Sequence, residues 1–361
     1  LLQRSGRCHS RTGRFLFRPA NPKAIPVILQ LIEFGLIGLA IYCAIALTLL
    51  AWPVGAAGAG RAAAELDRLV AGGSLSEPAA PRFFAARDGA RRLYRRYDEP
   101  DAKPGADLLV LLHGSGSDSR YLARLARLIA ATARLTVVTL DMRGHGPEPG
   151  RRGDVDAVDQ QEQDIADLVA ALEAEQTFGR FLLGGHSIGG GLAIRYAAGG
   201  QHPKPQGLVL IAPYVHRRSP AARPGSGGWA TPFVTRFAGI EMLQRLGIHV
   251  FDRMPVLRFE IPPSARDGTE TPLYSWRLFA SVTPRPDWRA EIERISCPVL
   301  VLAAENDSIF RSAGYPEIFA HAPHATVDII PDIDHFQLVV SDDLPRRIGA
   351  WLAGHPGSGP R

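Results

Sequence analysis

Residues 185–189 read Gly185-His186-Ser187-Ile188-Gly189, the spacing of a turn that exposes a nucleophilic serine. Phe181-Leu182-Leu183 precede it and a run of small residues follows, so the serine is expected between a strand and a helix. Such a turn forces the serine into a strained backbone conformation, and a side chain two residues to either side would collide with neighbouring backbone. Glycine at 185 and 189 removes both collisions. A serine hydroxyl is a weak nucleophile by itself. It needs a base to take its proton, an acid to orient that base, and N–H donors for the oxyanion that develops on the substrate.

Each partner has an expected place. The apolar run 299–304 leads into Glu305-Asn306-Asp307, which puts Asp307 just past a strand end, where an aspartate also reads as a turn former. A second run, 326–330, leads into Pro331-Asp332-Ile333-Asp334-His335, so His335 falls beyond the next strand. The chain order serine, acid, histidine is the one expected around a nucleophile elbow. For the oxyanion, one donor is the N–H of Ile188, at a helix N-terminus where the dipole favours negative charge. The other is the N–H of Ser115 in His113-Gly114-Ser115-Gly116, the loop after the strand-like run 108–112.

Rival readings are weaker. Gly114-Ser115-Gly116 resembles the start of a dinucleotide fingerprint, but position 119 is Ser119 and the acid Asp141 is only loosely spaced. No phosphate-loop or H-E-x-x-H pattern occurs. His186 adjoins the serine but its side chain is expected to point away, and His113 and His145 read as hydrogen-bonding supports in glycine-rich turns. His321, His324 and His355 have no catalytic context.

These residues require a scaffold that presents strand ends to a common edge. Strand-like runs at 108–112, 135–140, 181–183, 208–211, 299–303 and 326–330 alternate with helical patterns near 120–132, 157–177, 188–198, 310–321 and 342–353. Ile165, Leu168, Val169 and Leu172 form one apolar stripe at helical spacing. The alternation predicts an α/β fold with a mostly parallel sheet covered on both faces. Residues 213–290 break the rhythm and read as a helical lid over a pocket. Within them Thr231-Pro232 reads as an N-cap and first helical residue, with Gly247 ending the helix and Phe233, Phe237 and Ile240 on one face.

With 361 residues and 46% hydrophobic content, the chain can bury the core of one large α/β domain plus an accessory segment. The net charge of +5 is unevenly spread: Arg4, Arg7, Arg11, Arg14, Arg18 and Lys23 lie in a tail without acids, which leaves the remainder at −1. That balance argues against nucleic acid as a partner. Cys8, Cys43 and Cys297 have no metal-ligand or C-x-x-C spacing, so neither a structural disulfide nor a metal site is expected.

The organisation predicted is a basic tail at 1–24, a transmembrane signal-anchor at 25–54, a linker at 55–80, the catalytic domain at 81–354 and a tail at 355–361. No charge occurs from Phe34 to Val54, enough length to span a bilayer. The positive-inside bias places the N-terminus in the cytoplasm and the catalytic domain on the extracytoplasmic, periplasmic side. A cleaved signal ending in the small residues 55–59 is the alternative.

Together, residues 113–116, Asp141-Met142-Arg143-Gly144-His145-Gly146, Gly185-His186-Ser187-Ile188-Gly189-Gly190, Ile211-Ala212-Pro213 and the settings of Asp307 and His335 carry a resemblance. Over roughly residues 106–340 the chain resembles the α/β-hydrolase superfamily, and more narrowly its serine aminopeptidase S33-type branch, which holds monoacylglycerol lipases and lysophospholipases. One departure is Asp307-Ser308-Ile309-Phe310-Arg311, where that family often has proline or a small apolar residue soon after the acid. The resemblance implies a Ser187–His335–Asp307 triad that works through an acyl-enzyme with no metal or organic cofactor.

The substrate expected is a small-molecule or lipid ester of acyl-glycerol or lysophospholipid type. Trp229, Phe233 and Phe237 are lid residues that hint at an acyl chain, although lid aromatics more often serve packing, and Arg217, Arg218, Arg223, Arg236 and Arg245 read as a solvated face rather than as phosphate contacts. The alternatives are amide cleavage, with Glu241, Asp252, Glu260 or Glu270 binding a free amine, and an inactive hydrolase fold that only binds. Oligomeric state is left open by the sequence.

Overall fold

The computed structural model describes residues 24–55, 60–98, 105–147, 150–322 and 324–355. The basic tail, the greater part of the small-residue stretch 55–59 and the C-terminal tail after His355 lie outside the described residues.

Helix α1 (Ala24–Ala51) is unbroken over 28 residues, and 26–51 is long and apolar enough to cross a membrane. Every residue from 26 to 41 is exposed. Only the last turns pack, where Ala46 and Leu50 join a small apolar cluster with Ile240, Leu243 and Val256 of the lid. The Tyr42 hydroxyl donates to the Met242 carbonyl at 3.0 Å.

The stretch 55–80 is not the linker its Ala/Gly content suggested. It contains helix α2 (Arg61–Ala71), which buries Ala62, Ala63, Glu65 and Leu69 against the catalytic domain. Alanine is the best helix former, and here its small side chain also allows close docking. The sequence signal was the spacing of these residues, which composition alone obscures.

Strands β1 (Pro81–Ala85) and β2 (Arg91–Tyr97) form a hairpin at one sheet edge. The core then alternates as expected: β3 (Leu108–Leu112), α3 (Ala123–Ala133), β4 (Thr136–Leu140), α4 (Gln160–Glu175), β5 (Phe181–His186), α5 (Ile188–Ala198) and β6 (Gly207–Ile211). The predicted stripe Ile165, Leu168, Val169 and Leu172 on α4 is buried.

The excursion after β6 is mixed rather than helical. It holds β7 (Ala230–Pro232), α6 (Val234–Gln244), β8 (Pro255–Phe259), β9 (Leu273–Ser275), α7 (Trp276–Val282) and α8 (Trp288–Arg294), with β7, β8 and β9 forming an antiparallel sheet. Thr231 and Pro232 therefore belong to a strand, and Phe233 is the N-cap of α6. Pro232 fits there because β7 is an edge strand with no partner on its far side. The chain closes with β10 (Val299–Ala304), α9 (Tyr315–Phe319), β11 (Ala325–Ile330) and α10 (Asp343–Gly354).

The main sheet has eight strands in the order β1-β2-β4-β3-β5-β6-β10-β11, parallel from β4 onward. After β3 the chain turns outward to β4 and then crosses back to β5 on the other side of β3. Ligands bind at the carboxyl ends of strands where strand order reverses in this way. The loop after β3 and the turn after β5 meet there, with Leu112 paired to Gly185 as the last register of the two strands.

Candidate active site

Ser187 follows β5 with φ 56° and ψ −118°, a positive φ that a non-glycine residue adopts only under constraint. The constraint is visible in its hydrogen bonds. Ser187 N–H donates to Ile211 O at 2.9 Å, and its carbonyl accepts from Gly190 and Tyr214 N–H groups. A Cβ on Gly185 would sit 2.3 Å from the Gly189 carbonyl carbon, and one on Gly189 would sit 2.5 Å from His113 O. Both glycines are thus fixed by close backbone approach.

His335 and Asp307 come together after β11 and β10. A carboxylate can only accept, so His335 Nδ1–H donates to Asp307 Oδ2 at 2.7 Å and Nε2 is left as the basic nitrogen. The other carboxylate oxygen, Oδ1, accepts from the N–H groups of Ile309 and Phe310 at 2.7 and 2.8 Å. The unusual Ser308-Ile309-Phe310 sequence is thereby accommodated: its backbone holds the acid, and the Phe310 ring packs edge-on against His335 with centroids 5.4 Å apart. Ser187, His335, Ser115 and Trp229 line one cavity of about 410 Å³.

In the loop after β3, the amides flanking Ser115 are occupied. Gly114 N–H donates to the Tyr121 hydroxyl at 2.6 Å and Gly116 N–H to the Tyr274 hydroxyl at 3.3 Å. Tyr121 and His186 Nδ1 are 2.9 Å apart, and His186 Nε2 lies 3.3 Å from the His335 carbonyl. His186 is therefore held sideways, as expected, and is not a base. Tyr274 bonds His145 Nε2, whose Nδ1 faces the Arg143 carbonyl at 3.2 Å. His113 accepts from Met142 N–H on Nε2 at 3.0 Å and donates from Nδ1 to Gly114 O at 2.7 Å. Burial lowers the pKa of all three histidines, against the partial opposition of Asp141 at His113 and with help from His113 at His145 and His335 at His186. All three are neutral hydrogen-bonding supports.

The lid reaches the same loop. Trp229 Nε1–H donates to Ser115 Oγ at 2.9 Å, and Thr271 N–H donates to Gly116 O at 2.9 Å. Tyr121, Tyr274 and Thr271 went unnoticed in the sequence, since nothing local marks a hydroxyl or amide whose partner is a distant loop.

The lid residues divide between cavity wall and packing. Of Trp229, Phe233 and Phe237, Trp229 lines the cavity, whereas Phe233 is buried beside the Arg236 guanidinium and Phe237 packs with the cluster around α1. The cavity-lining arginines are Arg120 and Arg266, not Arg217, Arg218, Arg223, Arg236 or Arg245. Arg223 instead donates to the carbonyls of Asp307 and Phe310, at 3.0 and 3.2 Å. Among the four acids considered for amine binding, Glu270 reaches the cavity, with Oε2 already accepting from the N–H groups of Asp267 and Gly268. Asp252 is bound by Gln244 and His249, Glu260 pairs with Arg258, and Glu241 is exposed.

Comparison with known proteins follows this geometry. Residues 103–339 match the family described as serine aminopeptidase, S33. Bovine (Bos taurus) protein phosphatase methylesterase 1 is 30% identical over 104 residues, 29% of this chain and 27% of that protein. Human (Homo sapiens) monoglyceride lipase is 34% identical over 124 residues, 34% of this chain and 40% of that protein. The chain thus spans well under half the length of these curated relatives. Among solved structures, monoglyceride lipase from Saccharomyces cerevisiae superposes with a TM-score of 0.58 at 16% identity, covering 78% of this chain and 97% of that one. A bacterial membrane phospholipase A superposes with a TM-score of 0.50 at 20% identity, covering 91% and 98%. The match extends over more than half the chain, on a sheet and elbow of the expected kind, and the chain belongs to the serine aminopeptidase S33 family of α/β-hydrolases.

Proposed function

We propose that this protein is a membrane-anchored serine hydrolase that cleaves carboxylic esters of acyl-glycerol or lysophospholipid type. The observation that carries the reading is the strained Ser187 sharing an apolar-walled cavity with a histidine already oriented by a buried carboxylate. Ser187 Oγ attacks the ester carbonyl as its proton passes to His335 Nε2, and Asp307 stabilises the imidazolium. The N–H groups of Ser115 and Ile188 hold the oxyanion. The alcohol leaves with the proton from His335, and water then repeats the sequence on the acyl-enzyme to release the acid.

The reading also draws on relatives named as monoglyceride lipases and on a structural likeness named as a membrane phospholipase A. Helix α1 serves as the anchor, with the catalytic domain on the extracytoplasmic side; protease digestion confined to the cytoplasmic face of sealed vesicles tests that orientation. The chemical test is fluorophosphonate labelling of the detergent-solubilised protein, followed by a comparison of esters with aminoacyl amides. Labelling lost in Ser187→Ala and turnover of esters support the reading. Labelling of Ser187→Ala equal to that of the wild type refutes the nucleophile, and a preference for aminoacyl amides refutes the ester assignment.

A further inference from the structure

We infer that α2, the helix joining the membrane-spanning candidate to the catalytic core, forms the wall of the acyl-chain subsite, so that Leu66 and Val70 select substrate chain length. This inference rests on the ester-hydrolase reading above.

Leu66 and Val70 are one helical turn apart and both line the cavity that holds Ser187 and His335. Leu75 extends the same wall, and Ile261 and Ala265 of the lid complete it. The same cavity is also lined by charge, from Asp118, Arg120, Arg266, Asp267 and Glu270, and from Glu77 after the helix. A cavity lined by both apolar and charged side chains fits a molecule of both characters, with a hydrocarbon chain along Leu66 and Val70 of α2 and a polar alcohol portion at the charged residues.

Helix α2 is built in and does not merely lie nearby. Glu65 is 2% exposed, and its carboxylate accepts from Ser308 Oγ at 2.6 Å and from Arg61 Nε at 2.9 Å. Ser308 directly follows Asp307, so the helix is bonded to the loop that carries the acid. On the lid side Ser264 Oγ donates to Asp67 Oδ1 at 2.6 Å. At the start of the helix, Gly60 lies so close to the lid that an added Cβ would sit 2.3 Å from Gly227 O. Beyond its end, the Glu77 carbonyl accepts from Arg127 at 2.9 Å. A wall fixed at both ends has a defined shape, which is the requirement for discriminating chain length.

The test uses the full chain in detergent micelles and p-nitrophenyl esters from two to sixteen carbons. Leu66→Trp and Val70→Trp fill the wall, and each is expected to lower kcat/KM for twelve-carbon esters at least tenfold relative to four-carbon esters. The rate of labelling by a small fluorophosphonate should stay within threefold of wild type. A ratio of twelve- to four-carbon activity within twofold of wild type in both variants overturns the inference. Where a tryptophan variant fails to label, the paired Leu66→Ala/Val70→Ala variant decides. It is expected to lose long-chain preference, and an unchanged ratio overturns the inference. Wild-type protein that neither labels nor turns over any ester fails the ester-hydrolase reading itself, whereas turnover with a profile indifferent to α2 fails this inference alone.

Discussion

Replacing Asp307 with asparagine tests the catalytic geometry at a single atom. The side chain is buried and makes three hydrogen bonds: Oδ1 accepts two backbone N–H groups and Oδ2 accepts from His335 Nδ1. Asparagine keeps the oxygen that accepts from Ile309 and Phe310 and presents an NH₂ group to the histidine. That donor forces His335 Nδ1 to accept, which moves the ring proton to Nε2, the position that must take the proton from Ser187. A wrong tautomer in this setting lowers kcat by about 10,000-fold, or about 5 kcal/mol of transition-state stabilisation. Stability should barely change because the backbone contacts survive. Asp307→Ala, in contrast, leaves two buried N–H groups unpaired, at about 1–3 kcal/mol each. The assay is ester hydrolysis and fluorophosphonate labelling alongside urea denaturation. An Asp307→Asn variant with more than a tenth of wild-type kcat, at unchanged stability, would refute the role given to the Asp307–His335 pair.

Two further outcomes follow from the same hydrogen bonds. Trp229→Phe keeps the ring but removes the N–H that bonds Ser115 Oγ, so kcat should fall about fivefold, the worth of one neutral hydrogen bond of about 1 kcal/mol, with KM little changed. A rise in KM alone would show that the indole acts on substrate and not on the loop. Acid should destabilise the fold early, because His113, His145 and His186 have folded-state pKa values below the ordinary histidine value. Their contribution is complete above about pH 6.5, the unfolded value, and is lost as pH falls below it, since the unfolded chain binds protons that the folded one refuses. Urea midpoints measured between pH 7 and 5 should drop, and His145→Asn should flatten the slope; a midpoint constant over that range contradicts the neutral supports.

The strands that lead to Ser187 and Asp307 were legible because β5 and β10 are buried along their whole length, whereas β11, the edge strand that leads to His335, was legible only from its short apolar run before Pro331. β2 was not legible: Arg91-Arg92-Leu93-Tyr94-Arg95-Arg96-Tyr97 looks solvated. In the fold Arg92 and Arg95 are buried because Asp164 and Asp141 meet them, at 3.5 and 3.1 Å, from α4 and the end of β4. Asp141, conspicuous in sequence beside Arg143, Gly144 and His145, turns out to hold Ser119 N–H and Arg95 in place rather than to reach the serine. Long-range ion pairs of this sort leave no local pattern. The lid sheet escaped notice for a related reason, since β7 and β9 have three residues each and periodicity needs more. Helix α2 was hidden by alanine content that suits a linker equally well.

Helix α1 is about 42 Å long at 1.5 Å per residue, against about 30 Å for a bilayer's hydrocarbon core. The surplus of roughly 12 Å matches the last two turns, those that carry Ala46 and Leu50 into the lid. On the membrane-anchored reading proposed above, α1 in a bilayer would couple directly to the lid, because its last turns pack on α6. Val234, Leu246, Ile248 and Val250 are exposed on the lid segment that α1 touches. On the same membrane-anchored ester-hydrolase reading, catalysis would be a two-dimensional process: turnover would answer to the mole fraction of ester in the surface and to lateral diffusion, and dilution of the bulk solution would leave it unchanged.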